Sequence, residues 1–310
     1  MPVDIKRISV DDFEELKDVV QDSQSEIVQL GRGPMSGTIH HFELSETSVA
    51  AGDFNRAMRA SGTLSPSRWA LGGLTRANHP ATGHGHELRP GDLFIAAPNV
   101  ERHFNFENNS AYVVALIAQD DIEKHLAAHP GAFDMLLKKH RLSILRSTST
   151  EAQNNITGWN LMVDILMRDG LTMSDEMMAY HRDSMLRALL SPIREATPYR
   201  ENHLPSPDKV ARNIIDFLDH RKLPISNEEL ARHFGVGQRT MERAVTNYID
   251  MGPSEYHLKK RLSRAHTMLR HDGPITVKQI GREFGFSDPS RFARMCKNQF
   301  GVLPRKTLKR

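Results

Sequence analysis

The alternation of apolar and polar positions changes period several times along this chain, and each change predicts a different kind of structure. From about Val10 to Val20 it is that of an acidic amphipathic stretch. Between Glu26 and Ile117 apolar residues come in short runs punctuated by glycine, the rhythm of strands and tight turns. Within that region Leu88-Arg-Pro-Gly91-Asp-Leu-Phe-Ile-Ala-Ala-Pro98-Asn-Val-Glu-Arg-His103 predicts a turn, a strand and a second turn, with another strand from Tyr112 to Ile117. From Asp121 to Ser191 the spacing becomes helical, with Met162, Ile165 and Leu166 in one stripe and Met177, Met178, Met185, Leu186, Leu189 and Leu190 in another. A methionine-rich stripe of this kind predicts core or a subunit interface. Ser191 to Pro207, with four prolines among polar residues, predicts a linker.

The last hundred residues contain a repeat. Ile225-Ser-Asn-Glu-Glu-Leu-Ala-Arg-His-Phe-Gly-Val236 is matched by Ile275-Thr-Val-Lys-Gln-Ile-Gly-Arg-Glu-Phe-Gly-Phe286 at an offset of 50. After one inserted residue the offset becomes 51, and Met241/Phe292, Arg243/Arg294, Asn247/Asn298, Ile249/Phe300 and Pro253/Pro304 align. Each copy reads as a short helix, a glycine turn and a second helix. In the first, Ser226 and Glu229 form a capping box, and Gly235 supplies the positive φ that turns the chain. A helix from about Gln238 to Asp250 then turns Met241, Val245 and Ile249 inward. In the second, Ser287-Asp288-Pro289 starts a helix whose inward stripe is Phe292, Cys296 and Phe300. A helix from about Ser254 to Arg270, with Leu258, Leu262, Ala265, Met268 and Leu269 inward, connects the copies.

Left facing outward are Arg239, Glu242, Arg243 and Asn247 in the first copy and Ser290, Arg291, Arg294 and Lys297 in the second. Arginine can pair bidentately with guanine, asparagine with adenine, and glutamate can accept from the cytosine amino group. Any one such residue is more simply a solvated surface side chain; two such faces in a duplicated helix-turn-helix point to double-stranded DNA. Charge adds to the picture once the chain is divided. Residues 1–207 hold 20 Lys and Arg against 27 Asp and Glu, a net −7, and residues 208–310 hold 21 against 11, a net +10. Such a segment is drawn to a polyanion and binds with salt-dependent affinity, although charge alone equally fits a solvated basic face.

These residues carry a resemblance to the DNA-binding domain of the AraC/XylS family of bacterial transcription regulators. The matching runs are Arg261-Leu262-x-x-Ala265-x-x-Met268-Leu269, Ile280-Gly-x-x-x-Gly285-Phe286-Ser-Asp-x-Ser290-x-Phe292-x-Arg294, and Lys297-x-x-Phe300-Gly301-Val-x-Pro304. The resemblance covers about 208–310. It implies base contacts from Arg239, Glu242, Arg243, Ser290, Arg291 and Arg294, with two recognition helices entering successive major grooves ~34 Å apart. Gly237 departs from the family's usual capping serine, Val245 and Cys296 from a bulky aromatic, and Gly281 from alanine. The implied organisation is α+β: a cupin-like β-barrel with dimerisation helices over 1–190 that senses an effector, a linker at 191–207, and an all-α domain of two helix-turn-helix units at 208–310. The implied partners are promoter DNA, RNA polymerase, a small-molecule effector and a second copy of the chain, with activation of transcription as the outcome.

In the N-terminal region, Trp69, Phe94 and Tyr112 are candidate walls of an effector pocket, with Arg89 or Arg68 as a carboxylate anchor and His103 beside them. His84, His86, Glu87 and His103 carry metal-ligating groups, but a cupin metal motif places its His-x-His well upstream of Pro90-Gly91, so no metal, cofactor or catalytic residue is expected. A metal-dependent cupin enzyme fused to a DNA-binding domain, and a ligand-independent regulator controlled by abundance, are the competing readings. The single cysteine, Cys296, leaves no intrachain disulfide and fits a reducing compartment. The opening residues lack the apolar stretch of a signal peptide, and the longest apolar run, Tyr112 to Ala118, is too short to cross a bilayer; a cytoplasmic protein is expected.

Overall fold

A computed structural model of the chain describes residues 5–16, 24–44, 46–83, 86–127, 142–166, 174–195, 206–271 and 275–308. The chain divides into two compact units. The first comprises Met1–Ile27, Ser36–Asn55 and Ala60–Arg200, the second Val28–Met35, Arg56–Arg59 and Glu201–Arg310. The second unit is thus built from three pieces of chain, two of them short and drawn from the strand-rich region.

The strands among the described residues are β1 (Ile5–Val10), β2 (Gln24–Gln29), β3 (Gly37–Leu44), β4 (Thr47–Phe54), β5 (Met58–Thr63), β6 (Trp69–Arg76), β7 (Ala81–Gly83), β8 (His86–Leu88), β9 (Leu93–Ala96), β10 (Glu101–Phe106), β11 (Ser110–Ile117) and β12 (Leu142–Leu145). They form one sheet in the order β1-β3-β4-β11-β6-β9-β12 and another in the order β2-β5-β10-β7-β8. A 3₁₀ turn at Phe13–Leu16 occupies part of the predicted amphipathic stretch; residues 17–20 of that stretch lie outside the described residues.

Alternation along the strands gives the first sheet two different faces. Val113, Ala115 and Ile117 of β11, Leu93 and Ile95 of β9, and Trp69 and Leu71 of β6 belong to one buried cluster. That cluster includes Ile122 and Leu126 of helix α1 (Gln119–Leu126), Trp159 of α2 (Ser149–Leu166) and Met185, Leu186, Leu189 and Leu190 of α3 (Asp175–Glu195). The second methionine-leucine stripe therefore packs on the sheet, except that Met177 is exposed. The side chains of Met162, Ile165 and Leu166 lie outside the described residues. Gly73 permits the close packing: a Cβ there would lie 2.2 Å from the Asp92 carbonyl oxygen and 2.7 Å from the Trp159 ring. The opposite face meets the second sheet through aromatic pairs, Phe54 with Phe106 at 5.7 Å and Phe94 with Phe104 at 5.2 Å.

The second unit is helical: α4 (Ser206–His220), α5 (Asn227–His233), α6 (Gln238–Ile249), α7 (Pro253–Arg270), α8 (Val277–Glu283), α9 (Pro289–Phe300) and α10 (Pro304–Thr307). One apolar core joins Ile214, Ile215 and Leu218 of α4 to Leu230 of α5, Met241, Val245 and Ile249 of α6, and Tyr256 of α7, and it takes in Val28 and Leu30. The segment 28–35 also completes the end of α9. Helices leave their last carbonyls unpaired; here Gly33 N donates to the carbonyls of Asn298 and Gln299. The Gln29 side-chain amide donates to the Gln299 carbonyl at 2.8 Å, and the Gln299 amide returns to the Gln29 carbonyl at 2.8 Å.

Candidate nucleic-acid interface

The two repeats fold as two helix-turn-helix units, α5–α6 and α8–α9. Ser226 caps α5 and Thr276 caps α8, each in a reciprocal capping box, with Glu229 and Gln279 respectively. These boxes satisfy donors that the first turn would otherwise leave unpaired. Both turns use left-handed glycine, Gly235 at φ 63° and Gly285 at φ 75°. Gly285 has no room for a side chain either, because a Cβ would lie 2.4 Å from Pro224 Cδ.

The second helix of each unit buries one stripe and exposes the other. Met241, Val245 and Ile249 are buried on α6, and Phe292, Cys296 and Phe300 on α9. Arg239, Arg243 and Asn247 are exposed on α6, as are Ser290, Arg291, Arg294 and Lys297 on α9. The Asp288 side chain caps α9 by accepting from the backbone N–H of Ser290 and Arg291. This fixes those two residues at the exposed start of the helix.

Glu242 is less free than its position on the helix suggests. Its Oε1 accepts from Gln238 Nε2 at 2.9 Å and Asn227 Nδ2 at 2.7 Å, and those bonds hold its carboxyl below the usual carboxylate range. It ties α5 to the start of α6, and reaching a base would require exchanging those bonds.

The departures from the family pattern have distinct structural settings. Gly237 caps α6 without a side-chain hydrogen bond. Gly281 fits Phe292, whose ring carbon would lie 3.2 Å from a Cβ at 281. Cys296 is a core residue whose thiol burial pushes up to about 12.

Beneath the two units, α7 carries polar residues that helical periodicity did not reveal as core. Arg261 donates from Nη1 to the Phe284 carbonyl at 2.9 Å and lies 5.0 Å over the Phe286 ring, so it secures the second turn. Lys260 is fully buried and sits 3.0 Å from Asp219 Oδ1, beside Arg59 and the Tyr256 hydroxyl, which donates to Asp219.

The N-terminal candidates are not all brought together. Phe94 and Tyr112 face the space between the sheets, where Tyr112 lies 6.2 Å from Phe54. Trp69 is buried on the other face, in the cluster shared with the helices. Arg89 is exposed and paired with Glu87 at 2.8 Å. His103 is buried, with Nε2 3.7 Å from Glu101 Oε1, and strand alternation directs it away from Phe104 and Phe106. His84 and Gly85 lie outside the described residues, and among the described residues no group of three His, Cys, Asp or Glu could hold a metal ion. Sequence reasoning passed over Arg102, although alternation from Phe104 and Phe106 places it on the inner face of β10. No described helix is long and apolar enough to cross a membrane.

Comparison with known proteins agrees with the helical geometry. Residues 230–310 match a family described as a helix-turn-helix domain. The HTH-type transcriptional regulator ArgR of Pseudomonas aeruginosa is 32% identical over 112 residues, which is 36% of this chain and 34% of ArgR, so the match spans about a third of that relative. The HTH-type transcriptional activator RhaS of Mannheimia succiniciproducens is 26% identical over 231 residues, 73% of this chain and 81% of RhaS. Among solved structures, the AraC-like transcriptional activator CuxR aligns over 84% of this chain and 95% of its own, at 12% identity and a TM-score of 0.42. With two capped helix-turn-helix units and a family match that runs from the first into the second, the C-terminal third of this chain holds a helix-turn-helix domain similar to those of proteins named as HTH-type transcriptional regulators.

Proposed function

We propose that the protein is a sequence-specific transcription regulator that binds promoter DNA through both helix-turn-helix units and responds to a small-molecule effector, acting as an activator with RNA polymerase in the cytoplasm. The observation that carries this reading is the pair of exposed faces on α6 and α9, each with two arginines, within a segment of net charge +10. Residues 208–310 read DNA, supported by segments 28–35 and 56–59 of the same unit; the rest of 1–190 senses and pairs; and the link between them is shorter than the expected 191–207, because α3 continues to Glu195 and α4 begins at Ser206. Exposed Leu161 on α2 and Met177 and Tyr180 on α3 support pairing of two copies through these helices. The similarity to RhaS, named as an activator, supports the sign of regulation. The effector would act by population shift, binding one state of the protein more tightly than another.

Fluorescence anisotropy of the full chain on tiled upstream fragments, across a salt series, tests the reading. One fragment should bind far better than the rest, and Arg243→Ala and Arg294→Ala should each cost about 1–3 kcal/mol on it while barely affecting the others. Equal binding to all fragments, with both variants losing only salt-sensitive affinity, would reduce these arginines to phosphate contacts and remove the basis for specificity.

A further inference from the structure

Between the two sheets of the first unit lies a charge that no described residue neutralises. Arg102 extends from β10 on the same face as Phe104 and Phe106 and is 7% exposed. Its Nη2 donates to the Ser25 hydroxyl at 2.9 Å, while its Nε is buried without a hydrogen-bond partner among the described residues. A buried guanidinium is ordinarily compensated by a carboxylate or by an aromatic ring beneath it. Among the described residues, no carboxylate pairs with Arg102 and no ring lies under it. The electrostatic neighbour it does have is Tyr112, a neutral phenol on the facing sheet. Burial pushes the arginine down to about 10 and the phenol up to about 12, both consistent with a dry setting.

The surroundings are aromatic. Phe54, Phe94, Phe104, Phe106 and Tyr112 are linked by ring contacts of 5.2–6.2 Å. Phe106 and Tyr112 are only partly buried. An uncompensated buried charge costs several kcal/mol, and such breaches of the packing rules belong to functional sites.

We infer that Arg102 is the anchor of an effector subsite for a small organic carboxylate with an apolar or aromatic body. Its carboxylate would meet the guanidinium, with the Tyr112 hydroxyl as a second donor, and its body would lie against the phenylalanines. Carboxylate recognition suits the planar fork of arginine, and the phenylalanine walls disfavour a highly polar ligand. The inference rests on the effector-responsive reading above and names the ligand class for it.

The test is thermal unfolding of the full chain with benzoate, phenylacetate, cinnamate and octanoate, each beside its primary amide, for wild type and Arg102→Met. At least one carboxylate should raise the wild-type midpoint by roughly 5 °C at about a hundredfold excess over its Kd. Its amide should not, and the shift should vanish in Arg102→Met. The variant without ligand should unfold at or above the wild-type midpoint, because it removes an uncompensated buried charge; a structural arginine would instead leave it less stable. The inference is overturned if no carboxylate shifts wild type, if amides act equally, if the shift survives in the variant, or if the unliganded variant is destabilised. Fragment preference in the anisotropy experiment is independent of all these outcomes, so failure of the ligand class and failure of the regulator reading are told apart.

Discussion

Asp219 and His257 face the same problem, a titratable group inside the second unit, and meet it in opposite ways. Burial pushes Asp219 up, but Lys260 and Arg59, with the Tyr256 hydroxyl, outweigh it and hold the carboxyl below its ordinary value. Replacing it by asparagine removes the carboxylate that faces two buried cations, and Asp219→Asn should cost about 3–5 kcal/mol in denaturant unfolding. His257 has no such partner: burial drives it down to about 4, and Arg261, Arg221 and Arg264 add to the fall, against a hydrogen bond to the Arg221 carbonyl. It is neutral in the folded protein above about pH 4, whereas in the unfolded chain it takes up a proton near 6.5. The unfolded state therefore gains protons as pH falls from 6.5 to 4, and stability is full above that window and declines through it. Melting temperatures measured across this range should fall with pH, and His257→Gln should flatten the fall.

At the level of elements, sequence pattern was most informative where a local signal and a repeat agreed. Ser226, Gly235, Asp288 and the 241/245/249 stripe predict both helix-turn-helix units, and the helix bounds match within a residue or two, because caps and glycine turns are local chemistry. Gly285 illustrates it, since φ 75° and the closeness of Pro224 both exclude a side chain. Gly285→Ala should destabilise the second unit by more than about 1 kcal/mol and weaken specific DNA binding, checked by denaturation and anisotropy together. The strand-rich region was legible as strands but not as a site. Trp69 and Phe94 look alike in sequence, yet the sheet sends them to opposite faces, and Arg89 looked like an anchor while the inward arginine is Arg102. Which face of a strand is enclosed depends on what packs there, and that information is nonlocal. The same applies to Lys260 and Arg261, charged residues on a helix whose partners come from distant parts of the chain.

At the scale of the whole molecule, the division of charge, −7 over residues 1–207 and +10 over 208–310, concentrates attraction for DNA in one third of the chain. Yet that third is not a complete packing unit. Val28 and Leu30 contribute to its core, Arg59 to its buried charge network, and Gln29 and Gly33 to the end of α9. A fragment of residues 201–310 should therefore melt at a lower temperature and more broadly than the corresponding transition in the full chain, as read by circular dichroism. The bonds between Gln29 and Gln299 also join residues separated by 270 positions. At ordinary rates of translation roughly 15–50 s pass between synthesis of the first glutamine and the second. Gln29 is made that long before the carbonyl it bonds, and a chain cut short before α9 would lack this partner for its early segment. The packing of the early segment therefore reports on the synthesis of the late one, since the end of α9 must exist before residues 28–35 have a surface to close against.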